Sequence, residues 1–383
     1  MKISPEWVMP YARLARFYEG KMKQPHKAEA LLDAALEVDS NSVYIWYEKA
    51  LFYERQNNFK TAEYWYSKVV ANFSTEICFP CAGYNLGNLY TRMRRYADAE
   101  MQFKKAIQLD STFGWAYINL GRLYYITRRF EEAVTPFKKA IQLDSTSALS
   151  YSNLGNIYNV TKRYDEAELY LKKAIQLDSN YVTSISNLAV VYLNTERYEE
   201  AVPYFKRAIQ FDSTYAQDFA DLGFVLEKTQ RFSEAELHYK KAIQLDSSDI
   251  VPFVGLGNLC LNTGRYAEAE LQYKKAIALD STKAPSRRHL GMVCFKTNRP
   301  DEARQNFLKA IALNPNYAAA MLGMAYLLHS EGKTAEAISY VEQAIGKGST
   351  FEQLESDEDL APLRELPEWK ALVKQYFPDK GKD

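Results

Sequence analysis

Between residues 148 and 181, apolar side chains recur with the spacing of helix rather than strand. Tyr151, Leu154, Gly155 and Tyr158 stand at i, i+3, i+4 and i+7, one stripe of an α-helix. The polar string TKRY (161–164) interrupts the pattern. A second stripe follows, Ala167, Leu171, Ala174 and Ile175, and ends at LDSN (177–180), where Asp and Ser suit a helix break and a new start. The pattern predicts two helices that meet closely through Gly155, Ala167 and Ala174, with tyrosine and leucine filling the remaining space. One such hairpin is not self-sufficient. Each large side chain contributes only about 1.5–3 kcal/mol when fully buried, against the entropy of ordering the chain.

The hairpin is copied along the chain. The string KKAIQLDS begins at Lys104, Lys138, Lys172 and Lys240, and near-copies begin at Lys206, Lys274 and Leu308, all on a period of 34 residues. A fixed period of this size predicts an array in which stacked neighbours bury one another's apolar faces. An alanine of the second helix recurs as Ala28, Ala62, Ala99, Ala133, Ala167, Ala201, Ala235, Ala269, Ala303 and Ala337. It delimits ten units within an array over 1–351: 8–42, 43–79, 80–113, 114–147, 148–181, 182–215, 216–249, 250–283, 284–317 and 318–351. The first has one extra residue and the second three, around FSTEICFPCAG (73–83). After 351 the period stops. Residues 352–383 carry an acidic run (Glu355, Asp357, Glu358, Asp359), then an amphipathic segment with Leu360, Leu363, Leu366, Trp369, Leu372 and Val373. The segment is expected to cap the last apolar face, and the acids to serve as helix-start and solvating charges.

These residues closely resemble the tetratricopeptide repeat family. Its units carry a large residue, Leu, Gly or Ala, and Tyr in the first helix, then Ala, an aromatic or Leu, and Ala in the second. The resemblance covers roughly nine-tenths of the chain. It implies an all-α, right-handed superhelical solenoid of ten helix-turn-helix tetratricopeptide repeats with a C-terminal capping helix. Departures are local. Lys49 stands where leucine is usual, Arg287 where a large apolar residue is usual, and Arg94, Arg128, Lys162 and Glu196 where the turn normally has glycine.

The other side of the first helix carries a second pattern. At about 100° per residue, Leu149, Asn153, Asn156 and Val160 centre opposite the core stripe. The period places Asn85, Asn119, Asn153 and Asn187 at equivalent positions in successive units, with Asp221 next. The resemblance implies that this side lines the concave groove of the superhelix. It is similar to the peptide-binding superhelix of O-linked N-acetylglucosamine transferase, where asparagines at this place grip extended peptides, although no catalytic domain is present here. An amide both donates and accepts, so it can pair with any peptide backbone. Trp115, Leu149, Val160, Val190 and Phe224 add apolar surface, and Asn88, Arg92, Arg122, Asn156, Asn194 and Lys228 add polar and charged groups. Because the ladder sits on a helix surface, asparagine-to-alanine changes are expected to leave folding nearly unchanged. The alternatives are a merely solvated asparagine row, or docking on the convex second helices or terminal repeats.

Composition narrows the functional classes. Lys plus Arg equal Asp plus Glu at 48 each, so no net field draws the chain to nucleic acid or an anionic membrane. No run of 18 apolar residues exists, and the opening MKISPEWVMPYARLARFYEG lacks the apolar core of a signal peptide. Four cysteines do not make a disulfide framework, which suits a cytoplasmic chain with reduced thiols. In CFPC (78–81) a zinc site would need a second ligand pair, and His26, His238, His289 and His329 lie scattered. A redox role would need an activating helix start, so thiols in an inter-repeat loop are expected. Cys260 and Cys294 fall on core positions. EGKT (331–334) lacks the first glycine of a phosphate loop, position 327 being leucine. With no catalytic fingerprint and no cofactor or metal motif, the expected function is a non-catalytic scaffold binding an extended protein segment in its groove. The alternative is a partner-sensing or regulatory module of a larger signalling ATPase or protease system.

Overall fold

The computed structural model describes residues 7–72 and 79–380, and every regular element among them is helical. The chain forms two compact units, Met1–Val191 and Tyr192–Asp383. In the first unit the hairpins are α1 (Met9–Gly20) with α2 (Pro25–Val38), α3 (Val43–Arg55) with α4 (Phe59–Ala71), and α5 (Phe79–Arg92) with α6 (Tyr96–Leu109). Then come α7 (Gly114–Ile126) with α8 (Phe130–Leu143), α9 (Ala148–Val160) with α10 (Tyr164–Leu177), and most of α11 (Val182–Asn194). The second unit continues with α12 (Tyr198–Phe211), then α13 (Ala216–Lys228) with α14 (Phe232–Leu245), and α15 (Val251–Asn262) with α16 (Tyr266–Leu279). It ends in α17 (Ala284–Lys296) with α18 (Pro300–Leu313), α19 (Ala318–Ser330) with α20 (Thr334–Gly346), and three short helices, α21 (Phe351–Ser356), α22 (Ala361–Arg364) and α23 (Pro367–Tyr376).

Within a unit, first helices pack on their own second helix and on the second helix before them, and several also touch the next first helix, as α7 does with α8, α6 and α9. The small residues permit this. Ala133 and Ala140 of α8 are buried around Phe137, and a Cβ on Gly121 would stand 2.7 Å from the Phe137 ring, closer than such contacts allow.

The turn inside each hairpin needs one left-handed residue. Gly264 and Gly332 supply it with φ of 73° and 76°. Arg94, Arg128, Lys162 and Glu196 adopt φ of 58° to 61° instead, at a cost of about 1 kcal/mol or more each. The residue after them compensates locally. Arg129 lies over the Tyr124 ring at 4.3 Å and pairs with Glu132 (2.6 Å) and Glu100 (2.5 Å), tying the turn to its own hairpin and to the one before.

Lys49 is buried and still satisfied. Its ammonium pairs with Asp33 and lies 4.9 Å from the Trp65 ring, while its neighbour Glu48 pairs with Arg16. Arg287 is less well served, its Nε being buried without an acceptor among the described residues. At the C-terminal end three short helices and a 3-10 turn (Glu358–Leu360) stand where a single capping helix was expected, because Pro362 and Pro367 each restart the chain. Leu354, Leu360, Leu363, Trp369, Leu372 and Val373 are buried there. Two of the acids do more than solvate, since Asp357 accepts from the Tyr326 hydroxyl of α19 and Asp359 pairs with Lys296 of α17.

The cysteine expectation needs correction. Cys81, in the first turn of α5, is disulfide-bonded, whereas Cys260 and Cys294 are free and buried. Cys78 lies outside the described residues. Among the described residues no helix is long and apolar enough to cross a membrane, and no cluster of His, Cys, Asp and Glu is placed to hold a metal.

Candidate functional site

The asparagine ladder lies on the face where successive first helices run side by side. Its members are not equivalent. Asn85 donates from Nδ2 to the Tyr47 hydroxyl at 2.7 Å, and Asn119 donates to the Tyr84 hydroxyl at 3.0 Å and to Asn88 Oδ1 at 2.6 Å. Both amides therefore reach back to the preceding hairpin. The expectation that ladder amides are free of structural duty fails for these two, because the ladder position packs against the second helix and first helix of the repeat before.

Asn153 is the exception. Its Nδ2 is buried and has no acceptor among the described residues. Such a donor costs about 1–3 kcal/mol in lost solvation. It borders a cleft of about 230 Å³ between α7 and α9, together with Arg122, Tyr125, Ile126, Phe137 and Asn156. A second cleft, of about 160 Å³ between α5 and α7, brings together Asn88, Arg92, Asn119 and Arg122. Arg122 is common to both. The two arginines differ in availability. Arg92 pairs with Glu54 at 3.1 Å, donates to Asn57 at 3.2 Å and stacks over Phe59 at 4.5 Å. Arg122 is exposed, with no ion-pair partner among the described residues. Trp115 is 55% exposed and Leu149 half-buried, and neither borders these clefts. Asn187 and Val190 sit half-buried on α11.

The second unit carries the remaining expected residues. Asp221 and Phe224 border a cavity of about 450 Å³ formed by α13, α15 and the start of α17. Asp221 accepts from Gln217 Nε2 at 2.8 Å. Burial pushes its pKa up to about 6, with Asp218 and Asp249 adding to the rise against the Gln217 hydrogen bond. Lys228 lies 5.3 Å from the Phe224 ring, and Asn194 is exposed outside the cavity. Sequence reasoning missed Val251, Val254, Gly255 and Lys283, which also line it. A signal was present, because Gly255 falls on the ladder position, 34 residues after Asp221. The same position is His289 in the next repeat. Its ring stacks on Tyr273 at 5.3 Å, and burial pushes its pKa down to about 3.

Models of the tetratricopeptide repeat match residues 19–77, 80–146, 146–214, 219–249, 253–283 and 290–350. The chain belongs to the tetratricopeptide repeat family. Tetratricopeptide repeats serve as protein–protein interaction scaffolds, and this array shares that general class of function. None of the curated proteins compared with it matches the chain. Among solved structures, the Pseudomonas aeruginosa pilF protein is 23% identical, with a TM-score of 0.50 over 56% of this chain and 98% of its own, a likeness of fold. YrrB, described as a TPR protein with an unusual peptide-binding site, is 26% identical over 51% of this chain and 97% of its own, with a TM-score of 0.43. MamA is 22% identical over 45% of this chain and 93% of its own, with a TM-score of 0.41.

Proposed function

We propose that this tetratricopeptide array is a non-catalytic scaffold whose first-helix face grips an extended segment of a partner protein. The observation that carries the reading is the buried Asn153 Nδ2, without an acceptor among the described residues, at the cleft between α7 and α9. A backbone carbonyl entering that cleft would satisfy the amide and recover its desolvation cost, an interaction independent of the partner's side chains. Arg122 and Asn156 flank the same point with further donors, Asn156 with an acceptor too. Asn88, Asn119 and Arg92 continue the polar surface toward α5, and Asn187 and Val190 toward α11. Trp115 and Leu149 would add apolar contacts there, and within the second unit Phe224, Lys228 and Asn194 would offer apolar, charged and polar contacts of their own.

Photo-crosslinking in the native cell tests which face is used. A benzoylphenylalanine at Asn156 is expected to capture a partner, and one at Leu169, 66% exposed on the second helix α10, to capture none. Capture from Leu169 but not Asn156 would place docking on the second helices and defeat the reading.

A further inference from the structure

The cavity between α13, α15 and α17 is chemically unlike the clefts of the first unit. Leu193, Phe224, Ile250, Val251, Val254 and Pro285 make its walls apolar. Gly255 stands where the ladder of the first unit has an asparagine amide, and a Cβ there would come 2.5 Å from the Tyr239 ring. With no side chain at 255, the hollow between the two first helices stays open while Tyr239 closes its floor. Val251 remains 50% exposed at the edge. A concave apolar surface of this size on a folded chain marks a place where a partner's side chain is received.

Two charged residues, Asp221 and Lys283, interrupt the apolar wall. The Asp221 carboxylate has an amide, Gln217 Nε2, as its described hydrogen-bond partner. The cation at the rim, Lys283, turns to Asp280 of its own turn at 3.6 Å. The acids nearest in field, Asp218 and Asp249, add negative charge. Asp221 thus sits in a largely apolar hollow without a counter-ion among the described residues, a costly arrangement that an incoming cation relieves. An acidic segment would be repelled from the same place.

We propose that this cavity anchors a partner segment in which a bulky aliphatic or aromatic residue stands beside a lysine or arginine, the apolar side chain filling the hollow and the cation pairing with Asp221. The pairing combines a desolvated anchor with a charge-assisted hydrogen bond, the two features that concentrate binding energy at an interface. The inference rests on the reading that the first-helix face holds an extended segment, and adds the chemistry by which the second unit chooses one.

The test is selection of a phage-displayed library of random short peptides on the full chain, followed by fluorescence anisotropy of the best peptide. Wild type, Asp221→Asn and Val251→Asp are compared, with thermal melts in parallel. Asp221→Asn keeps the side-chain shape and removes a buried charge, so it leaves the fold intact. The expected result is enrichment of Lys or Arg next to Leu, Ile, Met or Phe, with binding weakened about tenfold by Asp221→Asn and by Val251→Asp. Enriched peptides that lack this pair, or that bind Asp221→Asn as tightly as wild type, would overturn the cavity's role and leave the scaffold reading standing. Failure to enrich any peptide on wild type over bare matrix would overturn both.

Discussion

Phe307 lies so close to Gly323 that a methyl group on the glycine would stand 2.5 Å from its ring. Gly323 is on the first helix of the next hairpin, at the ladder position, and Phe307 is fully buried on α18. The contact makes the ladder position an inter-repeat joint. Ring and glycine must be matched, since the core has no slack to absorb an added methyl. Gly323→Ala is therefore expected to lower stability by about 1–3 kcal/mol despite alanine's better helix propensity. Urea unfolding of the variant checks this, and an unchanged midpoint would show that the joint is soft.

The left-handed turns predict a gain. Arg128 and Lys162 hold φ of 60° and 61°, where glycine carries no steric penalty. Arg128→Gly and Lys162→Gly are each expected to stabilise by about 0.5–1 kcal/mol, and Gly264→Ala to destabilise by about 1 kcal/mol. A Cβ at Gly264 would meet nothing within 4 Å, so the last effect isolates backbone conformation from packing. Thermal melts of the three variants read it out.

Pro203 sits inside α12 with its ring exposed. It removes one helical hydrogen bond and crowds the carbonyl four residues back. Leu169 and Leu237 occupy the same position in neighbouring repeats, so the site accepts an ordinary helix former. Pro203→Ala is expected to raise stability by about 1–3 kcal/mol, measured by denaturant unfolding.

Much of this was legible in the sequence because the core speaks through repetition. Ala133, Ala140, Gly121 and Phe137 occupy the same places in copy after copy, and identical spacing forces identical packing. What was hidden was pairwise. Nothing in the string tells that Lys49 finds Asp33 and Trp65, that Asn119 turns back to Tyr84, or that Asp357 meets Tyr326. Those contacts depend on side-chain reach between hairpins, which a period does not encode. The cavity at Asp221 lay between. Gly255 and His289 visibly break the ladder, but only the packing of Tyr239 shows that one break opens a hollow.

Two buried groups give opposite responses to acid. His289 is held neutral by burial, its pKa lowered to about 3, with the Arg288 charge in support. Stability from its neutral form is present above its unfolded value of about 6.5 and is lost as pH falls toward 3. Asp221, raised to about 6, costs stability when ionised, so the fold gains as pH falls through that value. At about pH 5 the histidine loss amounts to about 1–2 kcal/mol. His289→Asn, which restores the ladder residue, is expected to lose less stability than wild type between about pH 7 and pH 5, and Asp221→Asn to lose more. Parallel melts at the two pH values decide it, and equal losses in all three proteins would refute both assignments.

The sharpest prediction separates two asparagines at equivalent positions. Asn119 spends its Nδ2 on Tyr84 and Asn88, and the Asn153 Nδ2 has no acceptor among the described residues. Asn119→Ala removes inter-repeat hydrogen bonds worth about 0.5–1.5 kcal/mol each and should lower stability accordingly. Asn153→Ala removes a buried unsatisfied donor and installs a better helix former, so stability should stay level or rise by up to about 1 kcal/mol. Binding is expected to show the reverse order. A partner captured through Asn156 should be weakened by Asn153→Ala, and more by Asn153→Ala with Arg122→Ala, since both groups border the same cleft. Denaturant midpoints and crosslink yields on the same four proteins measure both halves. Were Asn153→Ala to destabilise the fold as much as Asn119→Ala and leave capture intact, Asn153 would be another joint between repeats, and its amide would have no part in recognition.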